Sequence, residues 1–253
     1  MFSHLSVNTT SQKVLGGSGR SMVDSTMMLL GGEAFAPVEN GEVDMEQFLE
    51  RVAYILPILD CLGSAISGPI KSDVAGNISK MRSVWERHPE ECSTVRAMLE
   101  MERQHHPAAW PRACGTVALL WLKRGLRFIQ LLLQELVVAG PHLSGQTDAI
   151  YQESIDPLRE MATRAYNVAL RPHHNWLVQQ IFKFALITAP SQNGLLQALL
   201  RISRQSAQLP CNTEALSAAS EVAILDELQH MLPSFTATLD AIDKTYQDMN
   251  IDN

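Results

Sequence analysis

The chain has 253 residues, 46% hydrophobic and only 19% charged, with a formal net charge of −7, a length and apolar content that predict one large domain with a sizeable core. The acidic balance excludes a non-specific nucleic-acid binder, whose affinity would rest on Lys and Arg against phosphates, and a polybasic membrane anchor. Cys61, Cys92, Cys114 and Cys211 are widely spaced with no CxxC pair, which predicts reduced thiols in an intracellular protein and no structural zinc.

Residues 1–43 are predicted to be a disordered N-terminal extension ahead of a domain spanning 44–253. Gly16, Gly17, Gly19, Gly31 and Gly32 break any helix there, and no basic segment precedes a long apolar run as in a secretory signal. From about residue 44 the chain reads as helix after helix, with no two-residue alternation and with Pro or Gly at the joints. The first helix carries Phe48, Leu49, Val52, Ile55, Leu56, Leu59 and Leu62, with a kink at Pro57 and a stop at Gly63.

A second helix is predicted from Pro69 to about His88, and Pro89 suits the first turn of a short helix carrying Val95, Met98 and Leu99. The longest helix runs from about Ala113 to Ala139 and stops at Gly140-Pro141. Another, from about Glu153, ends before Pro172 because the residue ahead of a proline avoids the helical region. Further helices are predicted over Pro172 to Ala189, Leu195 to Arg204, Glu214 to Leu232 and Phe235 to Met249. The apolar run within 115–140 carries Lys123, Arg124 and Arg127 at its middle, which a bilayer would reject, so a soluble protein is expected.

Within KSDVAGNISK, residues 71–80, a helical wheel centred on Asp73 places Asn77 at about 40° and Lys80 at about −20°. Ile70, Val74, Ile78, Met81 and Trp85 form the adjoining apolar stripe, and Lys71, Ser79, Arg82 and Glu86 the solvated side. Two readings follow: a surface helix with a few stabilising polar pairs, or a polar site at the mouth of an apolar cavity. An acceptor, an amide and an ammonium together suit a hydroxyl-rich ligand.

On the long helix, Lys123, Arg127, Gln130 and Gln134 gather on one polar strip while apolar residues cover nearly everything else. Trp121 reads as core or as a binding platform, and Gly125, one turn on, leaves room over its face. Arg124 is placed well away from Trp121 on the wheel. In RPHHNWLVQQIF, residues 171–182, neighbouring histidines on a helix point about 100° apart, a poor metal pair, and one turned inward reads as a core hydrogen-bonding residue unless a polar pocket adjoins it, when it reads as a ligand contact. Trp176 and Leu177, if exposed, form a membrane-interface foot.

The ordered segments DCLGS (60–64), PIKSDVAGNISK (69–80), TVALLWLKRGLRFIQ (116–130), HHNWLVQQIF (173–182) and TATLDAI (236–242) resemble the glycolipid transfer proteins, from about Phe48 to Asn250. The resemblance implies an all-α fold, a two-layer sandwich of about eight helices enclosing a hydrophobic lipid tunnel that opens to accept chains. It implies transfer of a glycosphingolipid between membranes, with no catalysis and no cofactor. By position Asp73, Asn77 and Lys80 match the family's head-group residues, Trp121 the platform for the first sugar, and His174 the residue that binds the ceramide carbonyl. Leu59, Leu62, Ile70, Val117 and Phe182 match tunnel positions, and Trp176 with Leu177 the membrane patch.

The implied partners are a galactosylceramide, glucosylceramide or lactosylceramide type of lipid and, transiently, a membrane surface, for a monomer in the cytosol. A relative of the family carries ceramide 1-phosphate; Asn77 and Trp121 favour a neutral sugar over phosphate. The sequence departs from the family in its N-terminal extension, in longer connections near 140–152 and 205–222, and in His-His-Asn-Trp where the family has Tyr-His-Gly-Trp. The family also continues past the point where this chain reads DMNIDN, to a tyrosine that assists head-group binding. No G-x-S-x-G or H-E-x-x-H arrangement supports a lipid hydrolase, which leaves a glycolipid sensor or adaptor as the other class to weigh.

Overall fold

A computed structural model describes residues 35, 38, 40–140, 157–206 and 218–251. Among these residues the chain forms nine α-helices and one 3-10 turn, with a single isolated bridge between Asp44 and Thr94 in place of any strand. Most of the predicted N-terminal extension, Cys211, and the predicted helix starts at Glu153 and Glu214 lie outside the described residues. Phe35 is described, and it is buried with its ring stacked on Phe235 at 4.7 Å.

The apolar stretch 45–62 forms α1 (Met45–Ala53) and α2 (Leu56–Asp60). The break falls ahead of Pro57, at Tyr54 and Ile55, because Pro57 is accommodated in the first turn of α2 where its missing N–H costs nothing. Gly63 follows at φ 82°, a backbone conformation costly for a side chain. From it α3 (Ser64–Arg87) starts five residues earlier than predicted, with Pro69 inside the helix and not at its start.

Pro89 lies in a turn, not a helix. The turn is closed by Glu91 N–H to His88 O at 3.1 Å, and α4 (Val95–His105) begins only where Thr94 Oγ1 accepts from Ala97 N–H. The Thr94 hydroxyl, itself held by donating to Glu42 Oε2 at 3.0 Å, thus selects the start over the proline.

The centre of the molecule is α5 (Cys114–Ala139), packed against α3, α4, α6 (Pro157–Ala169) and α9 (Ala218–Asp248). Its first turn has no side-chain cap of its own. The buried carboxylate of Glu102 on α4 supplies one, accepting from Gly115 N–H, Thr116 N–H and Thr116 Oγ1, each at 2.7 Å. This approach requires glycine at 115, since a Cβ there would sit 2.9 Å from Met98 Sδ and 3.0 Å from Glu102 Oε1.

The polar strip of α5 finds its partners on α9. Lys123 Nζ reaches Asp243 at 2.6 Å, Arg127 reaches Asp240 and Asp243 at 2.6 and 2.8 Å, and Gln130 donates to Thr236 Oγ1 at 3.1 Å. Tyr246, also on α9, is fully buried and donates to Thr116 O at 2.6 Å. These ties hold the part of α9 that follows Pro233, and the helix passes unbroken through that proline where two helices were predicted. An interior proline costs about 3 kcal/mol. Keeping Phe235, Leu239 and Ile242 buried in register with Leu225 and Leu228 outweighs it, at about 1.5–3 kcal/mol per large side chain.

The chain from 171 also departs from a single helix. Arg171–His173 is a 3-10 turn, His174 is extended at φ −98° and ψ 134°, and α7 (Trp176–Ile187) starts at Asn175, whose side chain accepts from Val178 N–H at 3.0 Å. Asparagine in an N-cap competes with helix continuation, so His173 and His174 are not on a common helical wheel. The last helix before α9 is α8 (Gln192–Ser206).

Candidate functional site

Three elements meet around one mostly apolar cavity of about 200 Å³. Pro69, Ile70, Asp73 and Val74 come from α3, Trp121 and Gly125 from α5, and Val178, Ile181, Phe182 and Ala185 from α7, with Leu170 and His174 in the link before it. Space exists between α3 and α5 because residue 125 has no side chain; a Cβ there would only touch Val74 Cγ2 at 3.5 Å, and anything larger would enter the cavity.

Asp73, Trp121 and His174 are the members of this lining that carry polar groups. Asp73 is exposed and accepts at 3.2 Å from the side-chain amide of Asn77, itself buried on the same helix face. The Trp121 ring is half-buried, with the His174 ring 6.3 Å away and tilted by only 21°. His174 Nδ1 meets the Tyr166 hydroxyl at 3.1 Å, and Tyr166 in turn stacks on Phe182 with centroids 3.7 Å apart. Burial lowers the pKa of His174; nearby Asp73 opposes this and Arg124 adds to it.

Arg124 is where the wheel reading fails. Its guanidinium carbon lies 4.9 Å from the Trp121 ring centre, because a helical side chain leans toward the N-terminal turn and one three residues on covers the residue before it. Burial holds the Arg124 pKa below its ordinary value. His173 is lowered as well, by burial first and then by the positive charge of Arg124 and Lys123.

The structure therefore brings Asp73, Trp121 and His174 to one cavity, with Asn77 bonded to Asp73. Lys80 is exposed on the same helix and is not part of the lining. Of the tunnel positions, Ile70 and Phe182 line the cavity, whereas Leu59 and Leu62 are buried in the core and Val117 is half-buried.

A family profile described as Glycolipid transfer protein (GLTP) matches residues 43–201. The chain belongs to the glycolipid transfer protein family. It is 40% identical over 211 residues to the glycolipid transfer protein of Danio rerio, which covers 83% of this chain and 90% of that one. Among solved structures it resembles the FAPP2 GLTP-fold structure concerned with selection of simple glycosphingolipids, at a TM-score of 0.68, 25% identity, and 92% and 96% of the two chains. The human ceramide-1-phosphate transfer protein with its 12:0 lipid shares the fold, at a TM-score of 0.62, 19% identity, and 92% and 98% of the chains. The all-helical sandwich of the family is thus the fold of this chain.

The GLTP fold presents α7 outward beside the cavity. Trp176 is 72% exposed and Leu177 60%, and Phe184 and Ile187 continue the apolar surface at 70% and 60%. Of these four, Trp176 and Leu177 are the pair the sequence singles out. Phe184 lies seven residues on from Leu177 and Ile187 eleven on from Trp176, so helical pitch puts them on the same side, yet an apolar residue in a strongly apolar segment reads first as core. Tyr166 is a further member, bonded to His174 across the interruption between α6 and α7, which helical periodicity cannot cross. Among the described residues no helix is long and apolar enough to cross a membrane.

Proposed function

We propose that the chain carries glycosphingolipids between membranes, binding the sugar at Asp73, Asn77, Lys80 and Trp121 and the ceramide amide between Asp73 and His174. The observation that supports this most is the meeting of a carboxylate, an indole and an imidazole in the lining of one mostly apolar cavity. A sugar presents a flat apolar face for the indole and hydroxyls for the carboxylate and amide. In the tautomer whose Nδ1 accepts from the Tyr166 hydroxyl, 3.1 Å away, His174 carries its proton on Nε2 and offers it to a carbonyl, while Asp73 accepts the amide N–H.

A volume of about 200 Å³ is below the roughly 300–1,000 Å³ of ordinary ligand pockets. Uptake of two lipid chains therefore requires the core around Leu59, Leu62 and Val117 to part, in exchange for burial of chain at about 0.8 kcal/mol per CH₂. Grip comes from the chains and choice from the head group. The exposed side of α7, led by Trp176 and Leu177, meets the bilayer surface during exchange. The carrier acts as a monomer in the cytosol without cofactor or catalysis.

Arg124 beside Trp121 is the observation that favours the second reading, a phosphate-headed ceramide. Native mass spectrometry after exposure to a mixed lipid extract decides between them. A one-to-one complex with a neutral glycosphingolipid is the expected result; capture of ceramide 1-phosphate instead establishes the second reading, and a chain that retains no sphingolipid sinks both. Recovery of the lipid intact distinguishes a carrier from a hydrolase.

A further inference from the structure

On another side of α3, three potential metal ligands converge: His88, Glu91 and His105. His88 follows the last residue of α3 and His105 is the last residue of α4. His88 Nδ1 lies 3.3 Å from Glu91 Oε1, and His105 Nε2 lies 3.2 Å from Glu91 Oε2. All three ligand atoms fall within 4.8 Å of one another, and the histidine ring centroids are 5.8 Å apart.

We propose that His88, Glu91 and His105 bind one divalent transition metal of the zinc class, which ties the C-terminal end of α3 to that of α4. Ligands at about 2.0–2.1 Å from a tetrahedral zinc stand about 3.4 Å from one another. Each histidine already stands at that spacing from its own oxygen of Glu91, Oε1 for His88 and Oε2 for His105, so the carboxylate bridges the two sides of the site and the histidine pair has to draw in. Two imidazoles and a carboxylate are the ligand types such a metal takes, with water completing the set.

The framework holds the ligands independently of a metal. Glu91 N–H donates to His88 O at 3.1 Å and Cys92 N–H to the same carbonyl at 3.0 Å, so a closed turn fixes the relation of the first two ligands. Thr94 caps α4 and sets the direction in which His105 emerges. Two helix C-termini come together here, and their partial negative charge favours a cation. The three positions are spaced as His-x₂-Glu-x₁₃-His, which fits no short motif. The fold alone assembles them.

The test uses the full chain, stripped of metal with a chelator, and isothermal titration with zinc chloride. One saturable site per chain is expected. His88→Gln and His105→Gln should each weaken it by at least about tenfold, whereas His106→Gln and Cys114→Ser, whose side chains line a neighbouring groove with His88, should leave it unchanged. Cobalt substitution should give the visible absorption of a four-coordinate site in the native chain and not in the His88→Gln/His105→Gln double variant. Absence of a saturable site, survival of full affinity in the double variant, or dependence on only one of the two histidines overturns the proposal. None of these residues lines the lipid cavity, and the readout needs no lipid, so the result stands apart from the transfer reading.

Discussion

Asp73 Oδ2 accepts from the side-chain amide of Asn77 at 3.2 Å, and Asn77 is only 3% exposed while Asp73 faces outward. One carboxylate thus satisfies a buried amide and keeps its other lone pairs for a ligand.

That arrangement separates binding from stability in a pair of variants. Asp73→Val should remove both, leaving the Asn77 amide unpaired at a cost of about 1–3 kcal/mol, and should stop transfer of labelled galactosylceramide between vesicles. Asp73→Asn keeps one acceptor oxygen for Asn77 and loses the charge and the second acceptor oxygen. Transfer should then fall more than about tenfold, since charge-assisted hydrogen bonds contribute about 1.5–3 kcal/mol each, with the thermal midpoint nearly unchanged. Normal transfer by Asp73→Asn would remove the carboxylate from head-group recognition.

Gly125 tests whether the cavity is the lipid site. A methyl group there makes ordinary contact with Val74, so Gly125→Ala should transfer almost normally. Gly125→Leu should fill the space beside Trp121 and reduce glycolipid binding by about tenfold or more, with the helical circular dichroism retained. Equal binding by the two variants would place the lipid elsewhere.

The α7 surface should act in membrane contact without forming the head-group site. Trp176→Ala and Phe184→Ala are each expected to weaken partitioning to vesicles several-fold, because each withdraws part of the roughly 1.5–3 kcal/mol that burial of a large apolar side chain contributes. Binding of detergent-dispersed glycolipid should persist. Partitioning that is indifferent to both substitutions would show that the docking surface lies on another face.

His174 predicts a pH dependence of defined sign. Its pKa in the folded chain is below the ordinary 6.5, chiefly through burial and with Arg124 adding to the effect. The unfolded chain therefore binds the proton more readily, and stability from the neutral ring is complete above about pH 6.5 and declines as pH falls below it. His173, also lowered, acts in the same direction. Thermal midpoints of the native chain and of His174→Gln should differ most at pH 7.5 and converge toward pH 5.5; a gap that widens in acid would contradict the assignment.

Much of the site was legible because its members sit on single helices. Asp73 with Asn77, and Trp121 with Gly125, are one turn apart, so their common face follows from helical pitch alone. The same pitch misled over Arg124, since a wheel records where Cα atoms point and not how far back a long side chain reaches toward the preceding turn. It misled again at 171–175, where the Asn175 cap ended a helix before it started and turned His174 toward Tyr166.

By itself the sequence determined the helical class, the long apolar centre at α5 and the polar strip along it, because periodicity and capping are settled by residues within a few positions of one another. Only the tertiary structure decided the partners of those groups. Lys123 and Arg127 meet Asp243 and Asp240 over more than a hundred residues, Glu102 caps a helix that has no cap of its own, and His105 comes to Glu91. Such pairings depend on how whole helices pack, and the apolar faces that drive the packing are the same for many partners until the core closes on one.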